Sequence, residues 1–474
     1  MIPRTLGARR GPVPGLVACV LTLGLAACGG APEEPAVEAP PDLAIPIQYS
    51  TLDNGLKVVL SPDETAPVVT VAVYYHIGFR NEPKGRTGFA HLFEHLMFQG
   101  SENLGKMGLV RLVQGNGGTI NGSTRLDFTN YVASVPSHKL ETLLWAEADR
   151  MRSLKITDEE LINQQGVVTN EVKVNVVNQP YGGFPWLDLP QVAFTNWYNA
   201  HNFYGDLDDI QAATLEDAQA FFDAYYAPNN AVVVVVGDFD PAQAEAWVRQ
   251  YFADIPRVEL APKPDVTEAP QEAERRGSRV DPLAPRPALA FGFPMPDADS
   301  DDYVAMAVLD EVLLQGDDSL LHRKLVQEMG FTASVSGGIN YPLGSAWNVE
   351  GPALWSGALR HDAEHSPEEI LAALQSVIEQ VAAEGVDAET FDRALVQLRS
   401  GFYDYIGNGW GRSDLLASFA LFHDDPERIN RLESQLRAVR PGQIQRVAAE
   451  RLKPSLRSVF VLETATDAGQ ENAP

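Results

Sequence analysis

The chain has 474 residues, enough for two or three domains with ample core. Asp and Glu outnumber Lys and Arg by 64 to 36, a formal net charge of −28. That balance argues against a nucleic-acid partner and mildly favours basic or neutral substrates, although an acidic surface also serves solubility.

The first residues read as an export signal. Arg4, Arg9 and Arg10 precede an apolar run over 15–27, too short to cross a bilayer but suited to the apolar part of a signal. The run ends Leu25-Ala26-Ala27-Cys28-Gly29, which resembles a bacterial lipoprotein box, so residues 1–27 are expected to be removed and Cys28 to carry lipid. Cys19, the only other cysteine, falls inside the signal, which leaves the mature domain no thiol for a disulfide or a metal. Residues 28–46 are rich in Pro, Glu and Ala and read as a flexible lipidated stalk. No later run approaches twenty apolar residues, so membrane contact is expected through the lipid anchor alone. Gly29 after the cysteine is compatible with sorting to the periplasmic face of the outer membrane of a bacterial envelope.

Regular structure then begins. Asp53-Asn54-Gly55 between apolar stretches over 47–61 predicts a hairpin. Residues 68–75, β-branched and aromatic, predict a buried strand. A short helix over 88–100 follows, then another near 109–113, a strand entered over 117–121 and ending near 131–135, and helices over 137–152 and 158–176. Helix 214–226, a turn at Pro228-Asn229-Asn230, a buried strand over 231–236 and helix 241–252 close the first half. Composition turns to Pro, Ala, Glu and Arg from Glu259, and 259–281 reads as a linker. Strands and helices alternate again over 282–463, and Pro454 repeats, 226 residues on, the order seen at Pro228. A duplication into two similar α/β (α+β) domains, 47–258 and 282–463, each a mixed sheet with helices packed on it, is the expected fold. Residues 464–474 read as a disordered tail.

Chemistry concentrates in Gly88-Phe89-Ala90-His91-Leu92-Phe93-Glu94-His95-Leu96-Met97-Phe98-Gln99-Gly100. This helix is apolar nearly all round and should be buried, yet His91 and His95 stand at i and i+4 with Glu94 between them on one face. Burying two imidazoles and a carboxylate costs several kcal/mol unless something satisfies them. A divalent metal does so, with the imidazoles as ligands and Glu94 placed to take a proton from a metal-activated water. His-x-x-Glu-His is also an inverted zinc-peptidase signature. A second copy, His361-Asp362-Ala363-Glu364-His365, runs straight into Ser366-Pro367-Glu368-Glu369, a helix start. That copy reads as a solvated loop. With no thiols, a third zinc ligand is expected to be a carboxylate, and Glu147 and Glu171 are both candidates.

The residues together resemble the pitrilysin and insulysin clan of zinc metallopeptidases, in particular the bacterial branch similar to mitochondrial processing peptidase. The carriers are Leu52 to Val58, Gly88 to Gly100, Asn121 with Asp127 to Tyr131, and Tyr226-Ala227-Pro228-Asn229-Asn230 leading to Gly237-Asp238. The resemblance implies two domains facing across a cavity that encloses unfolded peptide. It also implies that the third ligand lies roughly 75 residues after the second histidine. Glu171, 76 residues after His95, fits. On this reading His91, His95 and Glu171 hold one zinc per chain, Glu94 is the general base, and Asn121 on an edge strand helps bind substrate backbone.

Two departures qualify the resemblance. The family usually has another glutamate seven residues before the distal ligand, where this chain has Gln164. Active members of the branch also carry, in the second half, an Arg and a Tyr that hold the substrate carbonyl; here those positions are Leu320 and Ala333, with Arg323 one helical turn beyond Leu320. The expectation is therefore a zinc-bearing endopeptidase subunit, acting on peptides or unfolded protein segments, whose homologous partner supplies the Arg and Tyr. The alternative is a non-catalytic peptide-binding or assembly subunit of the same fold.

Overall fold

The computed structural model describes residues 43–465; the expected signal, Cys28, most of the stalk and nearly all of the tail lie outside them. The Asp53-Asn54-Gly55 turn joins β1 (Gln48–Thr51) to β2 (Lys57–Pro62) in antiparallel register, Gln48 opposite Leu60. Gly55 takes φ +91°, which a side chain rarely adopts, and the Asn54 amide donates to the carbonyls of Phe252 and Ile255. The turn is thereby anchored to helix Pro241–Phe252, formed where it was expected.

The first sheet adds β3 (Val68–Tyr75), β4 (Thr119–Thr124), β5 (Thr129–Pro136) and β6 (Ala231–Gly237) in the order β1-β2-β6-β3-β5-β4. Only β2 and β6 run parallel. The second sheet holds β7 (Arg275–Asp281), β8 (Ala288–Pro294), β9 (Val335–Ile339), β10 (Leu354–Arg360) and β11 (Ser458–Thr464) in the order β7-β11-β8-β10-β9, with β7 and β11 parallel. Strand for strand this is the order 2-6-3-5-4 of the first sheet. The repeat sensed at Pro228 and Pro454, each opening a short 3-10 turn before the strand, is thus a duplicated topology.

The five valines of β6 are buried on both faces. Val233 and Val235 pack with Val58, Leu60, Val71 and Val73 among helices of the first half. Val232, Val234 and Val236 face a core shared with the second half, where helix Gly409–His423 lies across β3 and β6. Conversely, helix Asp188–Ala193 of the first half packs Leu189 and Ala193 against Ala290 and Phe460 of the second sheet. Each sheet is covered partly by the other half, so the division at the linker separates the strands of the two sheets but not their layers.

Four expectations need correction. The reading of 259–281 as linker fails from Arg275, because β7 pairs along its length with β11. Its Arg-Arg-Gly-Ser-Arg composition looks loop-like because an edge strand alternates exposed Arg276, Ser278 and Val280 with half-buried partners. Upstream, Glu268 accepts bonds from the backbone and hydroxyl of Thr195, the backbone of Asn196 and the amide of Asn199, which straps the linker to the first half. At the stalk's end, Ile45 is buried and its N–H and carbonyl both bond Asn430, so 43–46 is part of the fold. Thr464, assigned to the tail, pairs with Asp281 in β11. Finally, His361 is not solvated: it is buried just past β10, while Ser366 caps the next helix as expected.

Candidate functional site

Helix α1 (Phe89–Leu96) starts at Gly88, whose φ of +78° is left-handed, and a Cβ there would lie 2.4 Å from the carbonyl oxygen of Tyr204. A glycine cannot cap with a side chain. Glu82, fully buried, does so from six residues upstream, accepting from the Gly88 N–H at 2.8 Å and the Ala90 N–H at 2.7 Å. Burial pushes the Glu82 carboxyl up; the neighbouring His201 and the two amide bonds oppose it. Phe89, Leu92, Phe93 and Leu96 sink into the first-half core, and the Phe93 ring packs at 4.8 Å on that of Phe221.

On the remaining face the His91 and His95 rings meet at 87°, with their Nε2 atoms 3.2 Å apart. Helix α2 (Asp158–Val172) begins with a Thr157 and Glu160 capping box and brings Glu171 alongside. Glu171 Oε2 lies 3.4 Å from His95 Nε2, and Oε1 lies 3.7 Å from His91 Nε2. Among the described residues these three side chains form the one group of histidine, cysteine and carboxylate donors able to surround an ion, all within 4.8 Å of one another. Ligands at zinc bond lengths in a tetrahedron are separated by about 3.3 Å, so the donor set fits zinc.

Protonation agrees. Burial carries His91 down to about 4, with His95 adding to the fall and Glu171 opposing it, so a neutral lone pair is available at pH 7. The bond from His95 leads in holding Glu171 below the usual range. His91 Nδ1 is buried with no hydrogen-bond partner among the described residues. Glu94 lies beside the donors with its carboxyl pushed up by burial, and the Thr124 hydroxyl donates to its Oε2 at 2.9 Å.

The other carboxylate weighed as third ligand is engaged elsewhere. Glu147 is buried in helix Leu140–Arg152 and bound by Arg150 at 2.8 Å through Nε, with the guanidinium 4.0 Å from the Tyr131 ring centroid. Asn121 is exposed on β4, the outermost strand of its sheet, next to Gly122, where a Cβ would lie 3.2 Å from Glu94 Cγ. Gln164 is buried two turns before Glu171. Leu320 opens a short helix and Ala333 is exposed before β9. Arg323 lines a cleft against helix Pro367–Glu384 whose lining includes none of His91, Glu94, His95 and Glu171.

Sequence reasoning passed over residues 177–213, which supply the rest of the surroundings. Phe203 and Tyr204 stand 4.7 and 5.3 Å from the His91 ring, Trp186 packs on both, and His201 Nε2 lies 3.5 Å from Glu82. The available signal was compositional: aromatic residues closely spaced in a stretch without helical or strand period.

Residues 57–181, which contain His91, Glu94, His95 and Glu171, match the family model described as Insulinase (Peptidase family M16), and residues 212–398 match the one described as Peptidase M16 inactive domain. The chain is 29% identical over 424 residues to the zinc protease PqqE of Helicobacter pylori, covering 87% of this chain and 92% of that protein. It is 24% identical over 272 residues to the probable mitochondrial-processing peptidase subunit beta of Arabidopsis thaliana, covering 56% of this chain and 50% of that one. The solved structure of a protease from Helicobacter pylori is similar at a TM-score of 0.82 and 25% identity, covering 88% of this chain and 99% of that chain.

Proposed function

The chain is a homologue of the zinc proteases of the M16 family, insulinase/pitrilysin clan, and from that premise we propose that it is a zinc-dependent endopeptidase acting on peptides or unfolded protein segments. His91, His95 and Glu171 hold one zinc, Glu94 is the general base, and Asn121 on the open edge of β4 helps to seat the substrate backbone as an added strand. The observation that carries this reading is the spacing of 3.2, 3.4 and 3.7 Å among the three donors.

Zinc, when bound, supplies a Lewis acid that makes water nucleophilic near neutral pH. The chain's own residues divide the remaining work. Thr124 occupies Glu94 Oε2 and leaves Oε1 to take the proton of the attacking water. Neutral His91 and ionised Glu171 offer the lone pairs that a cation needs without prior proton loss.

Leu320 and Ala333 cannot hold a substrate carbonyl, and a homologous partner subunit is proposed to supply the Arg and Tyr. The relative named as a subunit beta supports a paired arrangement. The second reading, a non-catalytic peptide-binding subunit, is favoured by the match of 212–398 to the model described as an inactive domain. The lipid anchor at Cys28 and a place in the bacterial envelope complete the proposal. Zinc content of the purified protein and peptide cleavage by the chain with its co-purifying partner test the choice. A peptidase carries about one zinc and loses cleavage on Glu94→Gln with its fold intact. A binding subunit behaves identically with and without the Glu94→Gln substitution, and a chain that cleaves at full rate alone removes the need for a partner.

A further inference from the structure

We infer that Tyr204 is a positioning residue that presets Glu171 as the third metal ligand, tying together the two helices from which the ligands come; this rests on the metal-site reading above. Glu171 projects from α2 with its side chain 29% exposed, against 4% for His91. A carboxylate so placed has water as an alternative partner and rotamer freedom to lose on coordination.

The Tyr204 hydroxyl removes part of that freedom by donating to Glu171 Oε1 at 3.1 Å. That oxygen is the one facing His91, so the bond turns the carboxylate plane toward both imidazoles. Tyr204 is itself held on three sides. Its ring is buried against Trp186 and Phe203 and stands at 67° to the ring of His91. Asn175, in the wide turn Lys173–Val177 that continues α2, stands close enough to act on the hydroxyl as well. The backbone is pressed onto the start of α1: a Cβ on Gly88 would lie 2.4 Å from the Tyr204 carbonyl, and one on Gly205 would lie 2.2 Å from the Gly88 nitrogen. One side chain therefore touches His91 with its ring and Glu171 with its oxygen, while its backbone is fixed to the helix carrying both histidines. Groups that orient metal ligands in this way typically contribute 10- to 100-fold in affinity.

The test is zinc affinity of the whole chain, measured with zinc alone by chelator competition, together with the melting temperature of the metal-free protein. Tyr204→Phe keeps the ring and removes the oxygen; it is expected to weaken zinc binding about 10- to 100-fold and to leave the metal-free melting temperature unchanged. Asn175→Ala, at an exposed position, is expected to shift affinity the same way by a smaller factor, and it carries the test if Tyr204→Phe does not fold. Glu171→Gln weakens binding by itself, and adding Tyr204→Phe to it should do nothing more, since no carboxylate remains to be set. Unchanged affinity in Tyr204→Phe, or an equal further loss in the Glu171→Gln background, overturns the inference while the metal site stands. A wild-type chain that binds no zinc overturns the site reading itself.

Discussion

Thr124 donates its hydroxyl proton to Glu94 Oε2 at 2.9 Å, from the last residue of the strand that borders α1. The hydroxyl also lies 3.3 Å from the Ala90 carbonyl, but it has one proton and the carboxylate is nearer. This contact holds one oxygen of the Glu94 carboxylate and limits its rotation. Thr124→Val preserves shape and removes the bond, and turnover of an unfolded peptide should fall about tenfold, about 1.4 kcal/mol of transition-state stabilisation, with KM nearly unchanged. Thr124→Ser should retain most activity. A valine variant with full kcat would show that Glu94 is held by other means.

Glu82 does for the start of α1 what its glycine cap cannot. A glutamine in its place has one acceptor oxygen for two N–H groups, which leaves a buried donor unpaired at a cost of about 1–3 kcal/mol. Glu82→Gln should therefore lower the melting temperature by several degrees. Because His91 is three residues beyond Gly88, zinc affinity should fall with it. Thermal melts with and without zinc measure both effects.

The two carboxylates that sequence left as candidates should separate cleanly. Glu171→Gln is expected to weaken zinc binding and bring the zinc content of the purified protein well below one per chain, with little loss of fold, since Glu171 is partly exposed and its partners are the other donors and Tyr204. Glu147→Gln should keep its zinc. It leaves the buried Arg150 without a counter-charge, and stability should drop by about 3 kcal/mol or more. Metal analysis and denaturant melts of the two variants give opposite patterns; zinc loss in Glu147→Gln would reassign the ligand.

The parts legible in the sequence were those whose signal is local. The i, i+4 pair on an apolar helix, the Asn-Gly hairpin and the valine strand each follow from a period or a turn residue within about ten positions. Glu171 was not legible in that way: its helix exposes Ile162 and Val167 while burying Gln164, so the pattern hides which face is inward, and only the family spacing singled it out. Tyr204, His201 and Glu82 act across 33, 119 and 6 residues from segments with no period. The short helices Asp188–Ala193 and Trp197–Ala200 are too brief to show one. Such pieces take their shape from what they pack on, and β7 likewise owes its existence to β11.

Acid should loosen the junction between the two halves through Glu350. Its carboxylate accepts from His76 at the end of β3 and from Lys263 in the strap, at 2.8 and 3.0 Å, while its own N–H donates to Asp127. Burial alone would raise the carboxyl, but the bonds and charges of His76 and Lys263 outweigh it and carry the group down to about 2 from an ordinary 4.5. A folded value below the unfolded one means the unfolded chain binds more protons between pH 4.5 and 2. The stabilisation is therefore fully present above pH 4.5 and is lost as pH falls through that window. With the side chain 32% exposed, solvent screening reduces it to about 1–2 kcal/mol. Glu350→Gln should accordingly be less stable than wild type by that amount at about pH 6–7, and the two should converge as pH approaches 2. Urea unfolding at a series of pH values reads the difference directly, and a gap that stayed constant or widened toward acid would exclude this role for Glu350.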